Sequence, residues 1–251
     1  MGGSRVNPIP VALRRIALVL VALAALLAPS LTTLWVSTPA GTDIQARVGD
    51  LTRHYGIVLL GPDDIPPMLA KAVVATEDER FYTHHGIDSV GLARAFLYDV
   101  TNHCLCQGGS TITEQLVKDV YLGGSNSGYN KMIDAVLALK VERILTKQQI
   151  MAYYLSEITT GFGRRGVTAA SCAYFQAPLH NLSLGQYALL AGVTQAPSYY
   201  DPTVDPQAAQ HRRSQVLALM SAEGFITSAQ ALEANAEPVL VTGGRPGPGC
   251  A

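Results

Sequence analysis

The sequence predicts a mainly α-helical protein, one apolar N-terminal helix followed by a single helical domain. Three observations carry that expectation. No charged residue occurs between Arg15 and Asp43, so a long apolar segment opens the chain. Beyond residue 65, apolar residues recur at helical spacing in segment after segment. Pro66-Pro67 and Asp205-Pro206, with capping boxes at Thr146–Gln149, Ser183–Gln186 and Thr227–Gln230, mark where those segments begin.

The apolar core of the first segment, Ile16 to Val36, would span about 31 Å as a helix, enough for the hydrocarbon of a bilayer. Arg5, Arg14 and Arg15 precede it, which places residues 1–15 in the cytoplasm and residues 40 to 251 outside. Trp35 falls at the far interface, where indoles prefer to sit. The alternative is a cleaved signal peptide with a short apolar region from Ile16 to Ala28. Residues 37–64 are expected as a membrane-proximal linker, with a short extended piece from Ile57 to Leu60.

The folded domain is expected over 65–237, with about nine helices. Helices are predicted from Pro67 through Val74, after Asp88, from Ile112 to Leu122, from Lys131 to Leu145 and after Thr146. Others run up to Phe175, from Leu184 to Val193, from Pro206 to about Glu223 and after Thr227. Residues 238–251 form a Gly/Pro-rich tail with no core to join.

Composition narrows the function classes. At 251 residues the chain holds one sizeable domain plus an accessory segment. Hydrophobic content of 48% against 15% charged is apolar for a soluble protein, and one membrane segment accounts for much of that. A net charge of −1, with no basic stripe interleaved with aromatics, gives no case for nucleic acid. The four cysteines show no zinc spacing. Outside the cytoplasm they could pair, and Cys172 is the expected partner of Cys104 or Cys106, a Cys104–Cys106 ring being small and strained. Free thiols are the alternative, and no structural role is expected of Cys250.

The chemistry is expected in Ala75-Thr-Glu-Asp-Glu-Arg-Phe-Tyr-Thr-His-His-Gly86. An apolar run from Met68 ends there in three consecutive acids. A carboxylate partly buried at such a junction suits general acid–base work near neutral pH. A frayed helix end with solvated charges and locally satisfied histidines is the plainer alternative. Gly108-Gly109 ahead of the Ser110–Leu122 segment suggests an anion site made of free N–H groups at a helix start, although an ordinary Gly/Ser helix start has the same pattern.

Taken together these motifs resemble the peptidoglycan glycosyltransferase family (glycosyltransferase family 51), from about Ile65 to Thr227. Glu77-Asp78-x-x-Phe81-x-x-His84-x-Gly86 resembles the first motif of that family. Gly109-Ser-Thr-Ile-Thr-x-Gln115-x-x-Lys118 resembles the second, and Lys131 with Glu142 the third. Lys147-x-x-Ile150 through Tyr154-Leu155 resembles the fourth. Gly166, Ala170, Tyr174-Phe175 and Leu182 to Pro197 resemble the fifth.

The resemblance implies a lysozyme-like helical glycosyltransferase domain preceded by one transmembrane helix. It implies a single-pass protein of the bacterial plasma membrane, with its catalytic domain on the outer face, that polymerises lipid II onto a nascent glycan strand. Glu77 is implied as catalytic base and Asp134 as the second catalytic carboxylate. Asp78, Phe81, His84, Gly109, Ser110, Thr111, Gln115, Lys118 and Lys131 are implied as substrate-binding. Other cell-wall synthesis proteins are implied partners. With no Ser-x-x-Lys in the sequence, a monofunctional enzyme without transpeptidase activity is expected.

Four positions depart from the family pattern. Glu114 stands where Gln is usual, Asp119 for Asn, Asn130 for Arg and Asp134 for Glu. Three of these add negative charge, which a diphosphate leaving group should like less. Either Arg143, Arg164 or Arg165 compensates, or Mg²⁺ or Mn²⁺ bridges Glu77, Asp134 and the diphosphate. No organic cofactor is expected. Two other readings compete: a degenerate homologue that binds lipid II as a scaffold, and a lysozyme-like hydrolase using a lone Glu. The lysines and the second motif speak against the hydrolase.

Overall fold

A computed structural model describes residues 11–104, 108–125, 127–161, 163–240 and 250. It divides into two compact units, Met1–Pro39 and Ala40–Ala251. Every regular element among the described residues is helical, save one isolated bridge between Thr159 and Arg165.

The first unit holds helix α1 (Val11–Ser37), 27 residues long with Pro29 inside it. Leu18, Val19, Val21, Leu26, Leu27, Leu31 and Val36 are all exposed on it. Among the described residues, no helix is long and apolar enough to cross a membrane. Several side chains in the first half of α1, and Arg5, lie outside the described residues.

The second unit begins earlier than the sequence suggested. Residues 37–64 are not a plain linker. They contain α2 (Ile44–Tyr55), whose Ile44, Val48 and Thr52 are buried at i, i+4 and i+8. Gly56 ends it in the left-handed conformation, φ 63°. The extended piece at 57–60 forms no strand among the described residues.

Seven further helices follow as α3 (Pro67–Glu77), α4 (Ser89–Asn102), α5 (Ile112–Leu122), α6 (Gly128–Val141), α7 (Lys147–Glu157), α8 (Val167–Phe175) and α9 (Leu184–Val193). Two more, α10 (Pro206–Ala222) and α11 (Ser228–Asn235), close the domain. All three capping boxes read from the sequence are present, at Thr146, Ser183 and Thr227. α6 starts and stops three to four residues early. Ser127 caps its start by accepting from Asn130 N, so the serine before Gly128 sets the N-terminus and Lys131 lies inside the first turn.

α9 is apolar all round and sits at the centre. Gly185 and every residue from Tyr187 to Val193 are buried. It packs against α3 and α10, and α10 packs against α3 and α11. Gly192 permits the close crossing with α10, because a Cβ there would lie 2.9 Å from Arg212 Cγ. α4 is the exception to this packing. Only Ala95 is buried, while Val90, Leu92, Phe96, Leu97, Tyr98 and Val100 are exposed.

The cysteine pairing differs from the expectation. Cys172 bonds to Cys250, not to Cys104 or Cys106, and the Cα atoms are 5.4 Å apart. The reason is spatial: position 250 lies against α8, which 78 residues of sequence separation conceal. Cys104 is also disulfide-bonded. Cys106 and residues 241–249 lie outside the described residues.

Candidate active site

Glu77 is the last residue of α3. The helix is anchored by Leu69, Ala72, Val73 and Val74 in the core, and its end delivers a half-buried carboxylate to the rim of a cleft. Gln115 Nε2 on α5 donates to Glu77 Oε2 at 2.9 Å. Tyr154 OH on α7 in turn donates to Gln115 Oε1 at 3.3 Å, which decides which end of the amide faces Glu77. The Thr194 hydroxyl, just past α9, lies 3.3 Å from Glu77 Oε1 and 2.8 Å from Ala191 O. Tyr154 is fully buried. Burial holds its phenol well above the usual range, and the Glu77 charge adds to this.

Behind this group lies Arg212 on α10. It donates to Gly192 O at 3.2 Å and sits over the Tyr200 ring. Burial lowers the pKa of its guanidinium, and the fields of Glu77 and Tyr200 oppose that. Glu77 therefore has Gln115 and Thr194 as hydrogen-bond neighbours and interacts electrostatically with the buried Arg212 cation.

The cleft beside Glu77 has a volume of about 280 Å³ and is lined by the α3 end, α4 and the Gly108–Thr111 turn. A second, smaller pocket of about 30 Å³ is lined by Ser110, Glu114, Gln115, Lys118, Lys131 and Asp134. Ser110 lines both, and Gln115 joins the small pocket to Glu77. Gly109, Ser110, Gln115, Lys118, Lys131 and Asp134 are thus brought around one site.

The remaining sequence candidates are engaged with the protein itself. Asp78 Oδ1 and Oδ2 lie 2.9 and 3.0 Å from His84 Nε2, and Oδ2 accepts from Ile112 N at 3.0 Å. Phe81 is fully buried beneath the Lys147 ammonium, 4.4 Å from its ring centroid. Lys147 pairs with Glu142, which also accepts from Thr113 Oγ1, both at 2.6 Å. Thr111 Oγ1 donates to Gly86 O at 2.7 Å. Gly86 has φ 99°, and a Cβ there would meet the Ala138 backbone at 2.8 Å. Asp78, Phe81, His84 and Thr111 therefore brace the site, and the first motif is as much a packing motif as a chemical one.

At the start of α5, where an N–H cradle was expected, three N–H groups are engaged by the protein's own acceptors. Glu114 Oε2 accepts from Thr111 N at 2.9 Å, Asp78 Oδ2 from Ile112 N at 3.0 Å and Thr111 Oγ1 from Glu114 N at 3.1 Å. Orphan N–H groups at a helix start take any acceptor within reach, and here the protein supplies its own. The side chains of Ser110, Lys118 and Lys131 line the small pocket instead.

Asp134 is 2% exposed and its Oδ1 has no hydrogen-bond partner. Burial pushes its carboxyl up to about 6, with Glu114 and Asp119 also raising it and Lys131 and Lys118 pulling it back. Asp119 is itself raised by burial, against Lys118 and Arg165. Among the described residues no group of three His, Cys, Asp or Glu side chains is placed to hold a metal. Lys131 and Lys118 both act on the Asp134 charge. Of the three arginines considered as compensating charge, Arg164 pairs with Asp201 and Arg165 with Glu157.

Comparison with known proteins identifies the family. The family model described as Transglycosylase matches residues 48–221. The chain belongs to this transglycosylase family. Penicillin-binding protein 1A of Streptococcus pneumoniae is 42% identical over 180 residues, covering 70% of this chain and 25% of that protein. Penicillin-binding protein 1A of Aquifex aeolicus is 39% identical over 216 residues, covering 85% of this chain and 30% of that protein. The chain therefore spans between a quarter and a third of the length of these relatives. A crystal structure of penicillin-binding protein 1A from Haemophilus influenzae aligns with a TM-score of 0.45 at 23% identity, over 73% of this chain and 18% of that one. The matched region of this transglycosylase domain includes α2 from Val48 onward, in agreement with a fold that begins before residue 65.

Proposed function

We propose that this transglycosylase domain polymerises lipid II into glycan strands. The observation that carries the reading is Glu77, held by Gln115 beside a cleft that runs, through Ser110, into a pocket bearing Lys118 and Lys131. A base at one end and cations at the other are what glycosyl transfer from a sugar diphosphate needs.

In the proposed step the Glu77 carboxylate takes the proton from the 4-hydroxyl of the acceptor GlcNAc. The freed oxygen forms a bond to the anomeric carbon of the donor MurNAc, with inversion. The bond from that carbon to the phosphate oxygen breaks, and undecaprenyl diphosphate leaves with the electron pair. Lys131, Lys118 and Ser110 take up its growing charge. Asp134 lies against the same pocket as the second carboxylate. Any Mg²⁺ or Mn²⁺ would arrive with the diphosphate, with Glu77 and Asp134 as the carboxylates that would hold it and added positive charge as what it would supply.

The exposed apolar side chains of α4 support a substrate with a long lipid, since Gly91, Leu92 and Ala95 of that helix line the cleft. The charge-free, apolar 16–36 segment supports a membrane anchor with the domain on the outer face, where other wall-synthesis proteins would be its partners. The chain as given carries no Ser-x-x-Lys nucleophile for penicillin.

A binding module without turnover is the second reading, and one observation favours it: Lys131 is already paired with Glu114, at 3.2 Å. Labelled lipid II incubated with the detergent-solubilised chain and Mn²⁺, beside Glu77→Gln, separates the two. Glycan strands from the wild type and none from the variant support the polymerase. Binding of lipid II without product from either supports the module. A chelated arm reads any metal requirement directly.

A further inference from the structure

We propose that Glu114 is a charge latch on Lys131, one that sets how tightly the small pocket takes a diphosphate. The proposal rests on the reading of that pocket as the diphosphate site, and it names what regulates it. Lys131 Nζ lies 3.2 Å from Glu114 Oε1 and donates to Ser110 Oγ at 2.5 Å. The Lys131 side chain is 49% exposed and that of Glu114 5%. The cation stands at the pocket mouth and its counter-ion is set into the wall.

Glu114 cannot swing away freely. Its other oxygen closes the α5 capping box by accepting from Thr111 N at 2.9 Å. One carboxylate therefore does two jobs. It caps the helix with Oε2 and holds Lys131 with Oε1. An incoming anion must draw Lys131 off a fixed negative charge, while that charge repels the anion itself. The neighbouring groups do not relieve this. Asp134 adds a second carboxyl whose Oδ1 is unpartnered. Lys118 is the other cation of the pocket, and its charge acts on Asp134 as well. Resting affinity for a diphosphate is thereby held down, with Lys118 as first contact and Lys131 as the cation released on binding.

Glu114→Gln separates the two jobs, because glutamine closes a capping box as glutamate does. The variant keeps the cap and loses the charge. Binding of inorganic pyrophosphate by calorimetry is the measurement, on the full chain in detergent, with melting temperatures as a control for folding. Glu114→Gln should bind pyrophosphate roughly three- to tenfold tighter at low salt, the size expected for a half-exposed pair. Lys131→Met should bind more weakly, and adding Glu114→Gln to it should recover at most a small part. Unchanged or weaker binding by Glu114→Gln, or a full gain that persists without Lys131, overturns the latch. Pyrophosphate binding does not depend on Glu77. A chain that makes no glycan can still show the latch, and a polymerase stopped by Glu77→Gln can still lack it.

Discussion

At the scale of the residue, the proposed base, Glu77, must be aimed as well as placed. Gln115 does the aiming, and Tyr154 decides how. With the phenol removed, Gln115 Oε1 loses its donor, and the amide can turn its oxygen toward Glu77. Tyr154→Phe should lower kcat for lipid II about tenfold with KM nearly unchanged, the size expected of a small misplacement of a catalytic group. Gln115→Ala should cost as much, and the double variant no more than Gln115→Ala alone. Additive losses would mean that Tyr154 acts through packing. Much of this site was legible from local spacing. Glu77 ends an apolar helix, and Gln115 and Lys118 follow a glycine pair at helical offsets. The rest was not. Thr194 lies 117 positions from Glu77, and Arg212 is further still; only the burial of α9 between α3 and α10 brings them together. Nor could spacing reveal that Asp78 caps α5 across 34 positions. A carboxylate in a motif reads the same whether it faces substrate or a helix end.

At the scale of the element, the end of α7 holds a strongly perturbed carboxyl. Glu157 is fully buried, 3.2 Å from Arg165, and its Oε1 has no partner. Burial pushes it up to about 8, with Asp119 adding to this and Arg165 and Lys118 opposing it. Between the unfolded value of 4.5 and about 8, the native state holds a proton that the unfolded chain has released. Stability should therefore fall as pH rises through that window and level off above it. Glu157→Gln should melt higher than wild type at pH 8 to 9 and close to it near pH 5, followed by thermal scans. A variant less stable at every pH would show that the Arg165 pair outweighs the burial cost. Most element boundaries could be read because caps write them locally: Asp88, Thr146, Ser183, Asp205 and Thr227 all cap helices here. α2 was missed although Ile44, Val48 and Thr52 keep its period, since only two of those three are apolar and Arg47, Gly49, Asp50 and Arg53 interrupt them. What gives it a reason to be helical is the core it meets, through contacts with α5 and α7.

At the scale of the whole molecule, the Cys172–Cys250 bond closes a loop that contains α9, α10 and α11. These helices form one wall of the core against α3, whose end carries Glu77. Composition could not reveal this, because a cysteine in a Gly/Pro tail gives no sign of where the tail returns. Closing a loop of 78 residues restricts the unfolded chain more than the folded one, worth about 2–4 kcal/mol in typical cases. Replacing both cysteines by serine should then lower the melting temperature by roughly 5–15 °C for a domain of this size. The same fall should follow reduction of the wild type and be absent on reduction of the double variant, apart from any share due to the bond at Cys104. Below the new transition, turnover of lipid II should be kept, since Glu77, Gln115, Tyr154 and Thr194 are held by core packing that the bond does not touch. A melting temperature unchanged by the double replacement would show that the wall formed by α9 to α11 stands on its own packing. A loss of turnover well below the transition would instead tie the tail to the site.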